Sequence, residues 1–197
     1  MGSMNSMQID LPVLLAVTGA SGSIYALKFL EIMAGIGQEV HLVVSETGRQ
    51  VCRLELGPKG MEAMAGFAGR VYNCSRFDEM PASGSSRWRA MVILPCTMGT
   101  MGAIVNGISM NLIHRAADCF LKENRQVVAA VRETPLNRIH LKNMLAFSEA
   151  GGVVYPAMPS FYSHPAGLDE MAAFFAGRLA EFLGFRIEGL PVWQGNP

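Results

Sequence analysis

Short runs of apolar residues recur along the chain, separated by segments with helical periodicity. The runs are apolar at nearly every position rather than alternating, which is typical of parallel strands buried on both faces. They cover residues 11–17, 40–44, 90–94, 126–131 and 153–157, with a weaker candidate strand at 71–73. Pro95 is expected to end the third long run, because proline cannot donate to a strand ladder.

The intervening segments space apolar residues three and four positions apart, as an amphipathic helix does. The predicted helices cover residues 23–36, 47–56, 61–66, 100–106, 111–123, 136–150 and 167–183, and residues 81–86 form a Ser/Gly loop. Strands that alternate with helices predict a doubly wound α/β fold, Rossmann-like or flavodoxin-like, with one parallel sheet covered by helices on both faces. In such sheets ligands bind beyond the carboxyl ends of the strands.

The length of 197 residues suits a single domain, which we assign to residues 9–197 with a C-terminal docking tail from Gly184 onward. Residues 1–8 are interpreted as an appended leader. Their Gly-Ser and methionine residues resemble a cloning remnant rather than a signal peptide. No apolar run is long enough to predict a membrane span.

Composition narrows the class of protein further. The chain is 50% hydrophobic and 16% charged, which excludes a disordered segment, and its mean hydropathy of +0.26 predicts contacts between copies of the chain. Its 16 basic and 16 acidic residues balance, and no basic stretch could follow a nucleic-acid backbone. The four cysteines lack the spacing of zinc ligands, so we expect buried thiols in a reducing cytoplasm.

Small and hydroxyl-bearing residues follow the first three long strands. The first turn, TGASGS at 18–23, opens a helix whose N-terminal N–H groups favour an anion. It lacks the GxGxxG pattern of dinucleotide sites, so it indicates a mononucleotide phosphate or, equally, a tight turn with a serine N-cap. Ser45 ends the second strand, where it either meets a ligand or caps the next helix. PCTMGT at 95–100 is a similar turn after the third strand.

Charged side chains lie at the later strand ends. Arg132 and Glu133 come directly after the fourth long strand, where a guanidinium can hold a phosphate or a flavin carbonyl and a carboxylate can transfer a proton. An exposed Arg–Glu pair would leave the same pattern. One helix face carries three more charges, which form either a solvated stripe or part of a site: Arg115, Asp118 and Lys122.

Taken together, these stretches resemble the UbiX/Pad-type flavin prenyltransferases, within a wider family of homo-oligomeric flavoproteins that includes cysteine decarboxylases. The resemblance extends from residue 14 to residue 193. It is carried by TGASGSIYA (18–26), PASGSS (81–86), MVILPCTMGT (91–100), NLIHRAAD (111–118), LKE (121–123), VRETP (131–135), HLKNML (140–145) and PSFYSHP (159–165). It implies the α/β fold above and a homo-oligomer, namely a dodecamer.

The resemblance also implies a reaction. A metal-independent enzyme would join a dimethylallyl group from dimethylallyl monophosphate to N5 and C6 of reduced FMN, so that FMN is a substrate rather than a resident cofactor. The product, prenylated FMN, would pass to a UbiD-type decarboxylase. The older label for such enzymes, aromatic-acid or 3-polyprenyl-4-hydroxybenzoate decarboxylase, would then reflect the activity of that partner.

Site residues follow from the same resemblance. Those implied to bind the flavin are Gly19, Ala20, Ser21, Ser45, Thr97, Met98, Gly99, Thr100 and Arg132. Those implied to act in catalysis are Ser21, Glu55, Lys122 and Glu133, with Glu133 as the proton shuttle beside the flavin ring. Those implied to bind the prenyl phosphate are Arg115, Lys122, Tyr162 and Arg178, and no metal ligand is implied.

The implied site is shared between subunits, with Glu55, Tyr162 and Arg178 acting across an interface. An allylic cation-like transition state needs a dry site, whose candidate walls are Trp88, Met98 and Met101. The chain departs from the family pattern at Thr97, where many members carry Ser, and at Val192, where an Arg usually precedes the tryptophan at 193. The second departure leaves the contacts of the tail open.

Two other functions fit the same fold. One is an FMN-dependent flavoprotein that decarboxylates a C-terminal cysteine or a pantothenoylcysteine, and the other is a non-catalytic flavin carrier. The first relies on a catalytic histidine, which the corresponding early helix of this sequence lacks. The second has no use for another phosphate site, so the residues favour the prenyltransferase.

Overall fold

A computed structural model of the chain describes residues 11–193 and residue 195. Between residues 11 and 193 the apolar runs form six strands: β1 (Val13–Val17), β2 (Val40–Val44), β3 (Arg70–Tyr72), β4 (Ala90–Cys96), β5 (Val127–Val131) and β6 (Val153–Val154). Every residue of β1, β2, β4 and β5 is buried, as continuously apolar strands require. The expected leader, residues 1–8, lies outside the described residues.

The strands form one parallel sheet in the order β3-β2-β1-β4-β5-β6. This is the order of a doubly wound, Rossmann-like sheet, so the predicted fold class is confirmed. Chain order reverses between β1 and β4. Because the connections that follow these two strands leave toward opposite faces, a crevice opens at their carboxyl ends.

Within the residues that the structure describes, seven helices cover the sheet: α1 (Ser23–Gly35), α2 (Glu46–Leu56), α3 (Gly60–Phe67), α4 (Met98–Val105), α5 (Leu112–Lys122), α6 (Arg138–Glu149) and α7 (Leu168–Phe182). Helices α1, α2, α3 and α7 bury their apolar sides in the core on one face. Helices α4, α5 and α6 do so on the other. Within the described part of the chain, no helix has the length and apolar character needed to cross a membrane.

Pro95 does not end β4, contrary to the expectation from sequence. The strand continues to Cys96, and its register with β5 shifts between Ile93 and Cys96, where the missing proline N–H interrupts the ladder. The carbonyl oxygen of Pro95 still takes part in the sheet edge by accepting from Thr18 N at 3.2 Å. Strand β6 is shorter than predicted, although the chain beyond it keeps two hydrogen bonds to β5.

Capping side chains set the helix boundaries that differ from prediction. Helix α4 begins two residues early, because Thr97 caps it. Helix α6 begins two residues late, because Asn137 accepts from His140 N at 2.9 Å and completes a capping box. Part of the predicted Ser/Gly loop is a 3-10 turn, Met80–Ala82.

Candidate functional site

One threonine pins the carboxyl ends of β1 and β4 together. Thr18 Oγ1 donates to the carbonyl oxygen of Pro95 at 2.7 Å and accepts from Thr97 N at 2.9 Å. The side chain is buried, so water does not compete for these bonds. Thr18 therefore holds the two turns that flank the crevice in a fixed arrangement. The sequence analysis did not predict this role. A polar residue directly after an apolar strand is the feature that could have indicated it.

The turn after β1 binds an anion that belongs to the chain itself. Gly22 caps α1 with φ 116°, a conformation that glycine adopts without strain. The N–H groups of Gly22 and Ser23 donate to Glu55 Oε2 at 2.9 and 2.7 Å. The serine N-cap considered from the sequence is therefore wrong, whereas the affinity of this helix N-terminus for an anion is evident.

Glu55 lies on α2 and reaches the turn of its own chain directly. Burial by itself raises the pKa of this carboxyl. Hydrogen bonds from the Ser21 hydroxyl and from the N–H groups of Ser23 and Gly22 outweigh that effect and hold the pKa below its ordinary value. Glu55 is therefore ionised at neutral pH and compensates the N-terminal dipole of α1.

Replacing Glu55 by Gln should destabilise the fold by about 1 kcal/mol at neutral pH, the usual worth of an N-cap at a site that is partly exposed to water. A carboxyl whose pKa is depressed in the folded state adds stability above its unfolded pKa and loses it as the pH falls through the folded value. Urea titrations should therefore give a difference between wild type and variant that shrinks as the pH falls below the ordinary pKa of a glutamate. A difference that does not change with pH would contradict this assignment.

A cavity of about 320 Å³ opens beside this turn, a volume within the range of small-molecule sites. It is lined by the ends of β1 and β5 and by α1, α2 and α7, through Ser21, Gly22, Ile24, Tyr25, Glu55, Leu56, Arg132, Leu168, Met171 and Ala172. Three residues that the sequence assigned to the site thus meet at one cavity: Ser21, Glu55 and Arg132.

Tyr25 is a lining residue that the sequence analysis missed. Its ring centroid lies 4.7 Å from that of Phe175. Burial raises the pKa of its hydroxyl, and the nearby positive charge of Arg132 lowers it by less. The phenol is therefore a neutral hydrogen-bond donor close to Arg132. Its position on the first turn of α1, directly after the end of a strand, could have indicated that it lines the cavity.

The turns after β2 and β4 are capped by their own side chains. Ser45 Oγ accepts from Gly48 N at 3.0 Å, which confirms the helix-capping interpretation of this serine. Thr97 Oγ1 accepts from Thr100 N at 3.1 Å and donates to Thr100 Oγ1 at 3.0 Å. Gly99, between them, has no heavy atom within 4 Å of the place where a Cβ would lie. The backbone of the first turn of α4 therefore borders open space.

Arg132 and Glu133 emerge together at the end of β5. Arg132 N donates to the carbonyl oxygen of Cys96 at 3.2 Å and so keeps the end of β5 beside β4. Glu133 is exposed, and its Oε1 accepts from Thr134 N at 3.2 Å rather than from the Arg132 guanidinium. A carboxylate that is anchored by one backbone N–H at a crevice keeps lone pairs free to accept a proton.

The residues expected at the prenyl phosphate do not meet within one chain. Arg115 and Lys122 lie on α5, and Arg178 lies on α7, which covers the opposite face of the sheet. Lys122 ends α5 just before the amino end of β5, so it lies at the sheet edge opposite to the turns. Each cation pairs with a carboxylate of its own helix or helix end: Arg115–Asp118 at 2.7 Å, Lys122–Glu123 at 3.1 Å, and Arg178–Glu181.

Tyr162 lies in an aromatic group with the tail of the chain. Its ring meets Phe174 of α7 at 5.5 Å and Trp193 at 5.8 Å, both close to edge-on. Edge-to-face aromatic pairs contribute favourable interaction energy beyond that from burying apolar area. They therefore hold the Tyr162 ring against α7. Tyr162 as a whole remains 38% exposed.

All three expected wall residues are buried in the core. Trp88 is 4% exposed and precedes β4 at the amino edge of the sheet, where its ring packs against His41, Tyr72 and Phe120. Met101 is fully buried in the same core. Met98 also packs there, although it begins α4 at the carboxyl edge.

The carboxyl edge suits FMN by the chemistry of its donors. A phosphate and the carbonyl oxygens of a flavin both require N–H groups, hydroxyls or a guanidinium. The turns at 19–21 and 97–100 supply N–H groups and hydroxyls, and Arg132 supplies a guanidinium. Gly19 lets the first turn lie close to α2, since a Cβ there would lie 2.6 Å from Thr47 Oγ1. Because Glu55 already binds the first N–H groups of α1, a phosphate would use the remaining donors of these turns.

Comparison with known proteins finds relatives along the whole chain. The sequence profile of the Flavoprotein family matches residues 1–176. The flavin prenyltransferase UbiX of Methanothermobacter thermautotrophicus is 44% identical over 192 residues, which cover 96% of this chain and 99% of that protein. This identity and coverage establish common family membership as well as a common fold.

Two solved structures are similar over nearly the same length. The complex of AnUbiX (PadA1) with FMN and dimethylallyl pyrophosphate has a TM-score of 0.91 and 32% identity, covering 95% of this chain and 99% of that one. A dodecameric FMN-dependent UbiX-like decarboxylase from Escherichia coli O157:H7 has a TM-score of 0.89 and 34% identity, covering 94% and 100%.

Proposed function

This chain belongs to the Flavoprotein family and, within it, to the flavin prenyltransferases, and on that premise we propose that it joins a dimethylallyl group to reduced FMN. The donor is dimethylallyl monophosphate, the new bonds form at N5 and C6 of the flavin, and the product is prenylated FMN. The observation that carries the proposal is the carboxyl-edge crevice, where Ser21, Glu55 and Arg132 share one cavity.

The prenyl phosphate site is assembled between copies of the chain. Lys122 and Arg178 lie on opposite faces of one sheet, so a single phosphate that contacts both must lie between two chains. Exposed apolar side chains on α6 support such contacts, since Ile139 is 67% exposed and Leu145 is 60% exposed. A dodecamer, the state named for the E. coli relative, would provide them.

Each polar side chain has a role that follows from its chemistry. Reduced FMN supplies the nucleophilic N5 and C6 positions. The cations at 115, 122 and 178, together with the Tyr162 hydroxyl, donate to the prenyl phosphate and stabilise the charge that develops as it leaves. Glu133 accepts and returns protons at the crevice. Ser21 lines the cavity beside Glu55, where its hydroxyl is available to a ligand.

The product passes to a UbiD-type decarboxylase, because a covalently modified flavin is useful only to an enzyme that binds it. The transfer takes place in the cytoplasm. The four cysteines are free thiols, and three of them are buried, which is typical of proteins in a reducing compartment.

Release of inorganic phosphate tests this function. With dithionite-reduced FMN and dimethylallyl monophosphate under anaerobic conditions, we expect one phosphate per flavin consumed. Oxidised FMN should release none, because its N5 is not nucleophilic. Isopentyl monophosphate, which lacks the allylic double bond, is the matched control and should also release none. Phosphate release that is independent of flavin reduction would identify a phosphatase and overturn the proposal.

A further inference from the structure

The loop at 82–86 is bound to α5 and to Arg125, just beyond the helix, through alternate carbonyl groups. The carbonyl oxygen of Ala82 accepts from Arg115 Nε and from Cys119 Sγ, both at 3.1 Å. The carbonyl oxygen of Gly84 accepts from Arg125 Nη2 at 2.6 Å, and that of Ser86 accepts from Arg125 Nη1. One guanidinium therefore fixes two points of the loop.

The end of α5 places Arg125 where it can do this. Asn124 has φ 53°, in the left-handed region that asparagine tolerates, and its N–H donates to Leu121 O at 3.0 Å. Arg125 N then donates to Phe120 O at 2.8 Å, which completes a Schellman motif. The chain thus folds back over its last turn, and the Arg125 guanidinium lies 5.9 Å from the centroid of the Phe120 ring.

The same loop supports the ammonium group of Lys122. A Cβ at Gly84 would lie 2.8 Å from Lys122 Nζ and 2.6 Å from Glu123 Oε1, so this ion pair rests directly on the Gly84 backbone. Lys122 is otherwise a long side chain with 49% of its surface exposed, and it would sample many rotamers. Any shift of Gly84 therefore changes where the ammonium group can lie.

We propose that Arg125 is a positioning residue for prenyl-phosphate recognition. It holds Gly84 against the end of α5. Because Gly84 has no side chain, the Lys122 ammonium group can lie directly against its backbone. Arg125 thus acts through Lys122 and need not touch the substrate. The inference rests on the proposed role of Lys122 at the phosphate.

The test measures binding of dimethylallyl monophosphate by calorimetry to the full-length protein loaded with oxidised FMN, so that no turnover occurs. Arg125→Met keeps an apolar stem over Phe120 but loses both carbonyl bonds, and it should raise the dissociation constant about tenfold, as small displacements of a binding group do. Gly84→Ala should do the same without unfolding the protein, since its Cβ displaces only the ends of flexible side chains. Affinity for FMN should not change.

Arg89→Met is the matched control. Arg89 also donates to a carbonyl oxygen, that of Leu183 at 2.9 Å, and also lies over an aromatic ring, that of Phe185 at 5.8 Å, but it is on the opposite core face. Its replacement should leave donor affinity unchanged. An equal loss in Arg89→Met would show a general effect of destabilisation and overturn the inference.

Two further readouts separate positioning from a purely structural role. The double variant Arg125→Met/Lys122→Met should bind the donor no more weakly than Lys122→Met alone, and losses that multiply would contradict action through Lys122. The chain has four lysines, so [ε-13C]lysine spectra should show the Lys122 resonance shifted in Arg125→Met and unmoved in Arg89→Met. Wild-type protein that binds the donor but releases no phosphate would contradict the proposed reaction and not this inference.

Discussion

Replacing Glu133 by Gln is expected to slow prenyl transfer by about 10²- to 10⁴-fold, the usual contribution of a general acid–base group. The amide keeps the size and the hydrogen bond to Thr134 N but cannot exchange a proton at neutral pH. Since Glu133 is exposed and forms no part of either core, the variant should unfold at the same urea concentration as wild type.

The measurement is the single-turnover rate of phosphate release with saturating reduced FMN and donor. FMN affinity, followed by fluorescence quenching, should match wild type. Glu62→Gln is the control, because Glu62 is also exposed but lies on α3. If Glu133→Gln instead lost FMN while keeping its rate at saturation, the role of Glu133 would be structural.

Lys122→Met and Arg178→Met should each reduce kcat/KM for the donor by about 10- to 150-fold, the worth of a hydrogen bond from a charged group to phosphate. The affinity of both variants for FMN should equal that of the wild type. The two side chains lie on opposite faces of the sheet, so in a shared site they come from different chains. The two defects should therefore complement each other when both variants are expressed together.

Random assortment of the two variant chains leaves about one quarter of the shared sites with both cations. Hybrid oligomers purified through different tags should regain activity in that proportion, whereas mixtures of the separately purified, non-exchanging oligomers should not. Hybrids that are no more active than either parent would mean that both cations serve the same chain's site or neither does.

Much of the fold could be predicted because strands that are buried on both faces are apolar at nearly every position. Strands β1 and β5 are continuous apolar runs, and β2 is interrupted only by His41; the limits of all three were found to within two residues. The prediction that β4 ends at Pro95 was wrong. Whether a proline can remain within a strand depends on the neighbouring strands, and here Thr18 N donates to the Pro95 carbonyl oxygen while the register with β5 shifts. No local pattern encodes such contacts.

The site was less predictable for the same physical reason. The anion at the N-terminus of α1 is Glu55, which lies more than thirty residues away and meets the turn only through the packing of α2 on α1. Tyr25 and Thr18 take part through their position at strand ends, which becomes apparent once the sheet order is known. The proposed meeting of Lys122 and Arg178 at one phosphate would require a second chain, because the two side chains lie on opposite faces of the sheet.

The mass of the released flavin tests prenyl transfer most directly. The protein is incubated anaerobically with FMN, dithionite and dimethylallyl monophosphate, and the flavin is then extracted and analysed by mass spectrometry. The predicted product is heavier than reduced FMN by one C5H8 unit and forms only when protein, reductant and donor are all present. Flavin that keeps the mass of FMN under these conditions would contradict the assignment.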